Sequence, residues 1–394
     1  MRVALVYHDF NLEGSLARER VLLARGLAAE GVEVHCYSNP DTRGPNAGGV
    51  EFHDVRPVRR SSGRVGHAVE CGTFAWRATA LLREHRARYD VIDVAGTSAW
   101  EHDVVRAQAV PLSEQQRWPE RGGKSFRAAR ARARAAHVLH PALGVARATQ
   151  TLQLKPGNYS RVVAVTEEVG HDLQHVHGVP EQAIRVVAPP IELPDPGRSP
   201  SLELRRRLDL GARDQLVLFV GHDFERKGLD DAIEAVAAAS PAAHLAVVGG
   251  GDEPRFQATA DRYGAGKRVH FLGVTSEPNR FFEEADVFLL PTREDVWGTT
   301  VIEAMAAGVP VVVTAVAGAA AEIRRNGAGL VVENGSPAGL MGALASLLEA
   351  PDRRREMAER GREAAYRYGE AEHARVMHQI YTGVIEERAR GRRS

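Results

Sequence analysis

Two doubly wound α/β domains are the architecture that this 394-residue chain predicts. The length exceeds what one hydrophobic core usually organises, since domains run to about 150 residues. Short apolar runs alternate with helical patterns in both halves, which is the grammar of parallel sheets. Between the halves stands "VVAPPIELPDPGRSP", whose prolines from Pro189 to Pro200 suit neither a helix interior nor a central strand. The interdomain linker is placed there, giving an N-terminal domain over 1–190, a second over 191–365, and a terminal segment over 366–394.

The first half opens on the buried strand "VALVY" and the loop "HDFNLEGSLAR". Leu16, Leu22, Leu23 and Leu27 then recur at near-helical spacing until Gly31 stops the helix, and Val32, Val34 and Cys36 alternate as a second strand. A strand-helix-strand opening implies parallel pairing. "YDVIDVAG", "RVVAVT" and "AIRVVA" read as further strands. After the linker the pattern restarts with strand "QLVLFVG", helix "GLDDAIEAVAAAS" and strands "HLAVVGGG", "RVHFLG" and "ADVFLLP". The helix "TTVIEAMAAG" and the strand "VPVVVT" follow. The last stretch, "EAAYRYGEAEHARVMHQIYTGVIEERARGRRS", reads as a long helix that packs back on the first domain. Ligands of such sheets lie beyond the carboxyl ends of strands, so two facing Rossmann-like domains place the site in the cleft between them.

Composition narrows the partners. Lys plus Arg and Asp plus Glu balance at 51 each, so no global field holds nucleic acid. Cys36 and Cys71 form neither a metal spacing nor a disulfide framework, and the apolar run at the N-terminus is too short for a signal segment. A cytoplasmic protein is expected. The segment Arg117 to Arg134 is strongly basic, with Trp118 and Phe126 interleaved; Arg127, Arg130 and Arg134 share a helical face. It is either a solvated helix or a peripheral contact with an acceptor or the inner membrane face. His8, His222 and "HDLQHVH" offer no metal set, so no metal is assigned.

Two stretches carry chemistry. In "FVGHDFERKGLDDAIEA", Arg226 and Lys227 follow a strand and precede a helix start at Gly228, the arrangement of an anion clamp. In "PTREDVWGTTVIEAMAAGVPVVV", the helix opened by Gly298, Thr299 and Thr300 offers unpaired amides to a second phosphate. Glu303, in the first turn, can accept two hydrogen bonds from a vicinal diol such as a ribose, or merely cap its helix. Asp295 is either a binding acid or a turn-forming residue.

Together, "VGHDFERKGL", "VVGGGDE", "VHFLG", "ADVFLLPTRED" and "WGTTVIEAMAAGVPVV" resemble the retaining glycosyltransferases of family 4, which have the GT-B fold, and especially the lipopolysaccharide core glucosyltransferases. The second half carries the resemblance closely and the first half more loosely, through "EGSLARERVLLARGLAAEGVEVHCYS", "EHDVVRAQAV" and "VTEEVGHDLQHVHGVPEQAIRVVAPPIE". It implies that Asp295 touches donor-sugar hydroxyls, Glu303 the ribose, and Arg226 and Lys227 the diphosphate. It also implies that Gly14 and Ser15 form the glycine-rich loop at the donor phosphates, and that backbone around Leu272 to Val274 faces the nucleobase. No cofactor is implied; a UDP- or GDP-sugar is the co-substrate, and a glycan, lipid-linked or natural-product hydroxyl the acceptor. Three departures stand out: Asp295 is one methylene shorter than the usual Glu, Ser15 replaces a second glycine, and Gln108 replaces a histidine. His102 and Asp103 become the nearest candidates for a proton-handling role, against a polar loop and helix start. A sugar-nucleotide 2-epimerase of the same fold and a non-catalytic sugar-nucleotide-binding partner protein remain the alternative readings.

Overall fold

The computed structural model describes residues 1–12, 15–44, 48–58, 63–110, 141–195, 202–275 and 279–391. The chain forms two compact units, Met1–Pro190 with Glu370–Ser394, and Ile191–Gly369. It passes from the first to the second within the proline-rich tract and returns just before the last helix.

The first unit holds seven parallel strands: β1 (Arg2–Val6), β2 (Glu33–Ser38), β3 (Val50–Asp54), β4 (Val91–Ala95), β5 (Val104–Ala107), β6 (Arg161–Ala164) and β7 (Ile184–Val186). Their order is β3-β2-β1-β4-β5-β6-β7, so the winding reverses between β1 and β4. β1 is buried over Val3, Ala4, Leu5 and Val6 because helices cover both sheet faces, which is why its sequence is a continuous apolar run. On one face Leu23, Leu27 and Cys36 pack with Met377, Tyr381 and Val384; on the other Ala4 and Val6 meet Phe74, Ala78 and Leu82 of the helix Arg64–His85.

The last helix, Glu370–Gly391, belongs to this unit through chemistry as well as packing. Any Cβ at Gly26, on the helix Ser15–Ala29, would lie 2.6 Å from Ala374 Cβ, so the two helices meet at a contact only glycine permits. Beneath them lies a fully buried ionic cluster. Arg20 donates to Asp93 at 3.0 Å and to Glu19 at 2.8 Å, Arg106 pairs with Glu19, and the Tyr381 hydroxyl donates to Asp93. Two guanidinium groups thus meet two carboxylates, which offsets the cost of desolvating each. Burial, reinforced by the Arg106 charge, drives neighbouring His373 down to about 3 and keeps it neutral. Tyr366–Tyr368 forms a short 3-10 turn that interrupts the long terminal helix read from the sequence.

The second unit has six parallel strands: β8 (Gln215–Val220), β9 (Ala243–Val248), β10 (Val269–Gly273), β11 (Val287–Leu290), β12 (Val311–Thr314) and β13 (Gly329–Val332). The order β10-β9-β8-β11-β12-β13 again reverses, here between β8 and β11. Phe219, Phe288, Leu289, Val312 and Val313 fill its core. Among the described residues, no helix is long and apolar enough to cross a membrane.

Candidate active site

In an open parallel sheet the crevice forms where the strand order reverses, beyond the carboxyl ends, because the helices that follow diverge to opposite faces. In the second unit that point is flanked by β8 and β11, whose exit loops are 221–228 and 291–298. The two loops are laced together. Arg293 N donates to Arg226 O at 2.9 Å, the Arg293 guanidinium to Glu225 O at 2.6 Å, and the Thr292 hydroxyl to Arg226 O at 3.3 Å. Each loop ends in a left-handed glycine that caps the next helix: Gly228 (φ 77) before Leu229–Ala239, and Gly298 (φ 83) before Thr299–Ala306. A Cβ at Gly228 would sit 2.1 Å from Pro291 O, so this approach of the loops requires glycine twice over.

Across the reversal point, Lys227 Nζ lies 2.5 Å from Asp295 Oδ2, with both side chains only 12–13% exposed. The stem of Lys227 lies over Gly221, at the end of β8, and the Asp295 carboxylate lies over Gly298, at the start of its helix. Arg226 extends alongside, donating through Nη1 to Glu294 O at 2.9 Å and pairing through Nε with Asp223 Oδ2 at 3.3 Å. The structure therefore gathers Arg226, Lys227, Asp295, Gly298, Thr299 and Thr300. It also shows what the linear sequence hid: each cation of the clamp already faces an anion. Arg226, Lys227, Asp223 and Asp295 thus sum to zero charge.

Glu303 lies in the fifth position of its helix and is buried, 3% exposed, a costly place for a carboxylate that does nothing. Val274, just past β10, is exposed and stands over Gly250 at the end of β9, beside His222 from the β8 exit. The exits of β8, β9 and β10 thus form a continuous lip next to the clamp. Trp297 packs edge-on against Tyr368 at 5.4 Å, and its indole Nε1 is buried without a protein partner.

The first unit requires a correction. His102 and Asp103 do not begin a helix; they lead into the amino end of β5, the edge opposite to that where such sheets bind ligands. Asp103 is committed to structure: Arg86 donates to it at 2.9 and 3.1 Å, Ile92 N at 2.8 Å, and Arg388 pairs with it. His102 is buried with neither ring nitrogen bonded to protein, and burial pushes it down to about 4. Neither is placed for proton transfer. Gln108 does follow the carboxyl end of β5, and Ser15 is the exposed first residue of its helix. Gly14 and the basic stretch Arg117 to Arg134 lie outside the described residues.

His8, weighed in the sequence only as a metal ligand and set aside, stands at the carboxyl end of β1 beside this sheet's own reversal point. Its Nδ1 is 2.8 Å from Asp9 Oδ1 and its ring packs on Phe74 at 4.9 Å. The His-Asp dipeptide after the first strand was the available signal. It is weak because it becomes meaningful only once β1 is known to flank the crevice.

Comparison with known proteins agrees with the fold. Residues 21–194 match the model "Glycosyltransferase Family 4", and residues 201–364 match "Glycosyl transferases group 1". A D-inositol 3-phosphate glycosyltransferase of Corynebacterium glutamicum is 32% identical over 240 residues, 57% of each chain. The lipopolysaccharide glucosyltransferase WaaG of Escherichia coli is 32% identical over 185 residues, 45% of this chain and 49% of that one. The chain thus spans about half the length of these curated relatives. The solved structure of WaaG superposes with a TM-score of 0.75 at 24% identity, covering 97% of this chain and 100% of the other. Anabaena HepE in complex with UDP-glucose superposes at 0.69 and 14%, covering 97% and 100%. The chain carries a Glycosyltransferase Family 4 domain over 21–194 and a Glycosyl transferases group 1 domain over 201–364, in the GT-B fold.

Proposed function

We propose that this chain transfers a hexose-like sugar from a nucleoside diphosphate donor, UDP- or GDP-linked, to an acceptor hydroxyl, with retention and without a metal ion at the diphosphate. The observation that carries this reading is the Lys227–Asp295 pair bridging the reversal point, with Arg226 and a capped helix start beside it. A diphosphate carries two negative charges against the single charge of a carboxylate, so it can take Lys227 from Asp295 and Arg226 from Asp223, while the Thr299 and Thr300 amides add the helix dipole. Charge developing on the leaving group is met by groups already fixed in place, the term that usually dominates such catalysis.

In the reaction the bond from the anomeric carbon to the diphosphate oxygen breaks, the acceptor oxygen bonds to the same face of that carbon, and the acceptor proton passes to the departing phosphate. Asp295, once released by Lys227, is free to accept from the donor-sugar hydroxyls. Glu303 grips the ribose, and Val274 with its neighbouring backbone borders the base. The family resemblance assigns Gly14 and Ser15 to the donor phosphates, and in the first unit His8 with Asp9 is the candidate for contacting the acceptor. The names of the relatives support an acceptor that is a glycan or a lipid-linked or phosphorylated polyol. A peripheral membrane contact through Arg117 to Arg134 belongs to the same reading, as does a cytoplasmic location.

A thermal-shift panel of nucleotides and nucleotide sugars tests it. A donor at 100 times its dissociation constant stabilises by about 2.7 kcal/mol. The reading requires one base to stand out, and Arg226→Ala to depress turnover more than it depresses the stability of the fold. A variant that melts early but keeps its specific activity removes the clamp.

A further inference from the structure

Parallel register puts residues of neighbouring strands on one face when they are paired, and every second residue along a strand shares that face. β2 pairs with β3 through His35↔Glu51 and Tyr37↔His53, so Glu33, His35, Glu51 and His53 all stand on the same face at the sheet edge. His35 Nδ1 lies 2.9 Å from His53 Nε2 and 3.6 Å from Glu51 Oε2, and His53 Nε2 lies 3.4 Å from Glu51 Oε1. Tetrahedral ligands about 2.0–2.1 Å from a zinc ion are roughly 3.3–3.4 Å apart, so the two ring nitrogens and the Glu51 carboxylate already sit near the spacing of one coordination face.

Proton counting sharpens the point. The other nitrogen of His35, Nε2, lies 3.1 Å from Glu33 Oε1, which in turn accepts from Arg2 Nε at 2.7 Å. With Nε2 donating to Glu33, a neutral His35 presents a lone pair at Nδ1. One proton on His53 Nε2 then has to serve both that lone pair and the Glu51 carboxylate. A cation answers all three acceptors at once. The Glu33 contact is also the outer partner that a metal-bound imidazole usually has, fixing its tautomer and raising its basicity. Among the described residues, this is the one trio of His, Cys, Asp or Glu close enough to share an ion. The second sheet supplies an internal contrast. His244 and His270 face each other across β9 and β10 at 3.0 Å, and no carboxylate among the described residues completes a trio.

We propose that His35 Nδ1, His53 Nε2 and the Glu51 carboxylate bind one zinc-class divalent cation, with water in the fourth position, stapling edge strand β3 to β2. Two imidazoles and one carboxylate favour zinc, cobalt or nickel over magnesium or calcium, which prefer all-oxygen shells. The site is independent of the glycosyl-transfer reading.

Untagged full-length protein, stripped by chelator, is titrated with Co2+ and followed by visible absorption, and Zn2+ affinity is measured by competition. One equivalent of Co2+ should give tetrahedral d–d bands that Zn2+ bleaches. Glu51→Ala and His53→Ala should abolish them, while His244→Ala should leave them intact. Glu51 is largely exposed, so its substitution keeps the test valid should His53→Ala fail to fold. Glu33→Gln should retain the band shape and weaken Zn2+ binding by about 10–100-fold. Absence of bands in the wild type, bands that survive Glu51→Ala, or a thiolate charge-transfer band from Cys71 beside His67 in their place would overturn the site.

Discussion

Exchange of partners at Lys227 makes a quantitative demand on the ligand-free protein. With Nζ and Oδ2 2.5 Å apart and both side chains almost buried, the pair is neither a surface ion pair worth about 0.2–1 kcal/mol nor fully desolvated. Hydrogen bonds to charged groups contribute roughly 1.5–3 kcal/mol, and that is the coupling expected between Lys227→Met and Asp295→Asn in a double-mutant cycle. The second unit carries its own reporter, Trp297, two residues from Asp295 and stacked edge-on with Tyr368. Denaturant melts in a background of Trp76→Phe, Trp100→Phe and Trp118→Phe therefore follow this unit alone. Repeating the cycle with saturating nucleoside diphosphate should reduce the coupling below about 0.5 kcal/mol, because the ammonium now faces phosphate in the folded state. A coupling that is absent without nucleotide, or that persists unchanged with it, would refute the exchange.

Four further substitutions probe other parts of the account. Glu303→Gln should weaken nucleoside diphosphate binding by roughly 1.5–3 kcal/mol in a calorimetric titration; unchanged affinity would assign the carboxylate to its helix. Gly228→Ala should destabilise the second unit by more than the approximately 1–2 kcal/mol of a left-handed non-glycine residue, since its Cβ meets Pro291 O. Gly178→Ala, at φ 65 with open space around it, should cost only the conformational part. His102→Leu should stabilise the fold by about 1–3 kcal/mol, removing two buried polar atoms without protein partners, and leave turnover unchanged.

The same histidine gives a pH signature. Held neutral down to about 4 in the fold, His102 binds its proton in the unfolded chain near pH 6.5. Unfolding therefore takes up a proton between those values, and stability that is complete above pH 6.5 is lost as the pH falls, by up to about 1.4 kcal/mol per unit. His373, lowered to about 3, adds a second proton of the same sign. His102→Leu should lower the acid slope by one proton; an unchanged slope would mean the ring titrates normally in the fold.

The fold was legible because its strands are covered on both faces: "VALVY", "QLVLFVG" and "VPVVVT" leave no other economical reading. Less visible were β3, whose "VEFHD" mixes charge with apolar residues at a sheet edge, and β5, where His102 and Asp103 disguised a strand start as a polar loop. Partners from distant segments decided that case: Asp103 is claimed by Arg86 and Arg388, and no local pattern announces either. At the candidate site, residue types and helix starts were readable from glycine placement and apolar runs. The pairing of Lys227 with Asp295 was not, because two exit loops 68 residues apart in sequence meet only once the strand order is known. The same limit concealed His35, Glu51 and His53, which only the register of β2 with β3 brings together.

The most direct measurement of the central claim is proton NMR of the reaction with the donor selected by the binding panel, run in EDTA. The account predicts release of the nucleoside diphosphate, transfer to the acceptor at nearly the metal-supplemented rate, and an anomeric coupling constant in the product matching that of the donor. An inverted anomeric centre, or activity abolished by EDTA and restored by magnesium or manganese, would contradict it; restoration by zinc alone would point to the His35 site rather than to the diphosphate clamp.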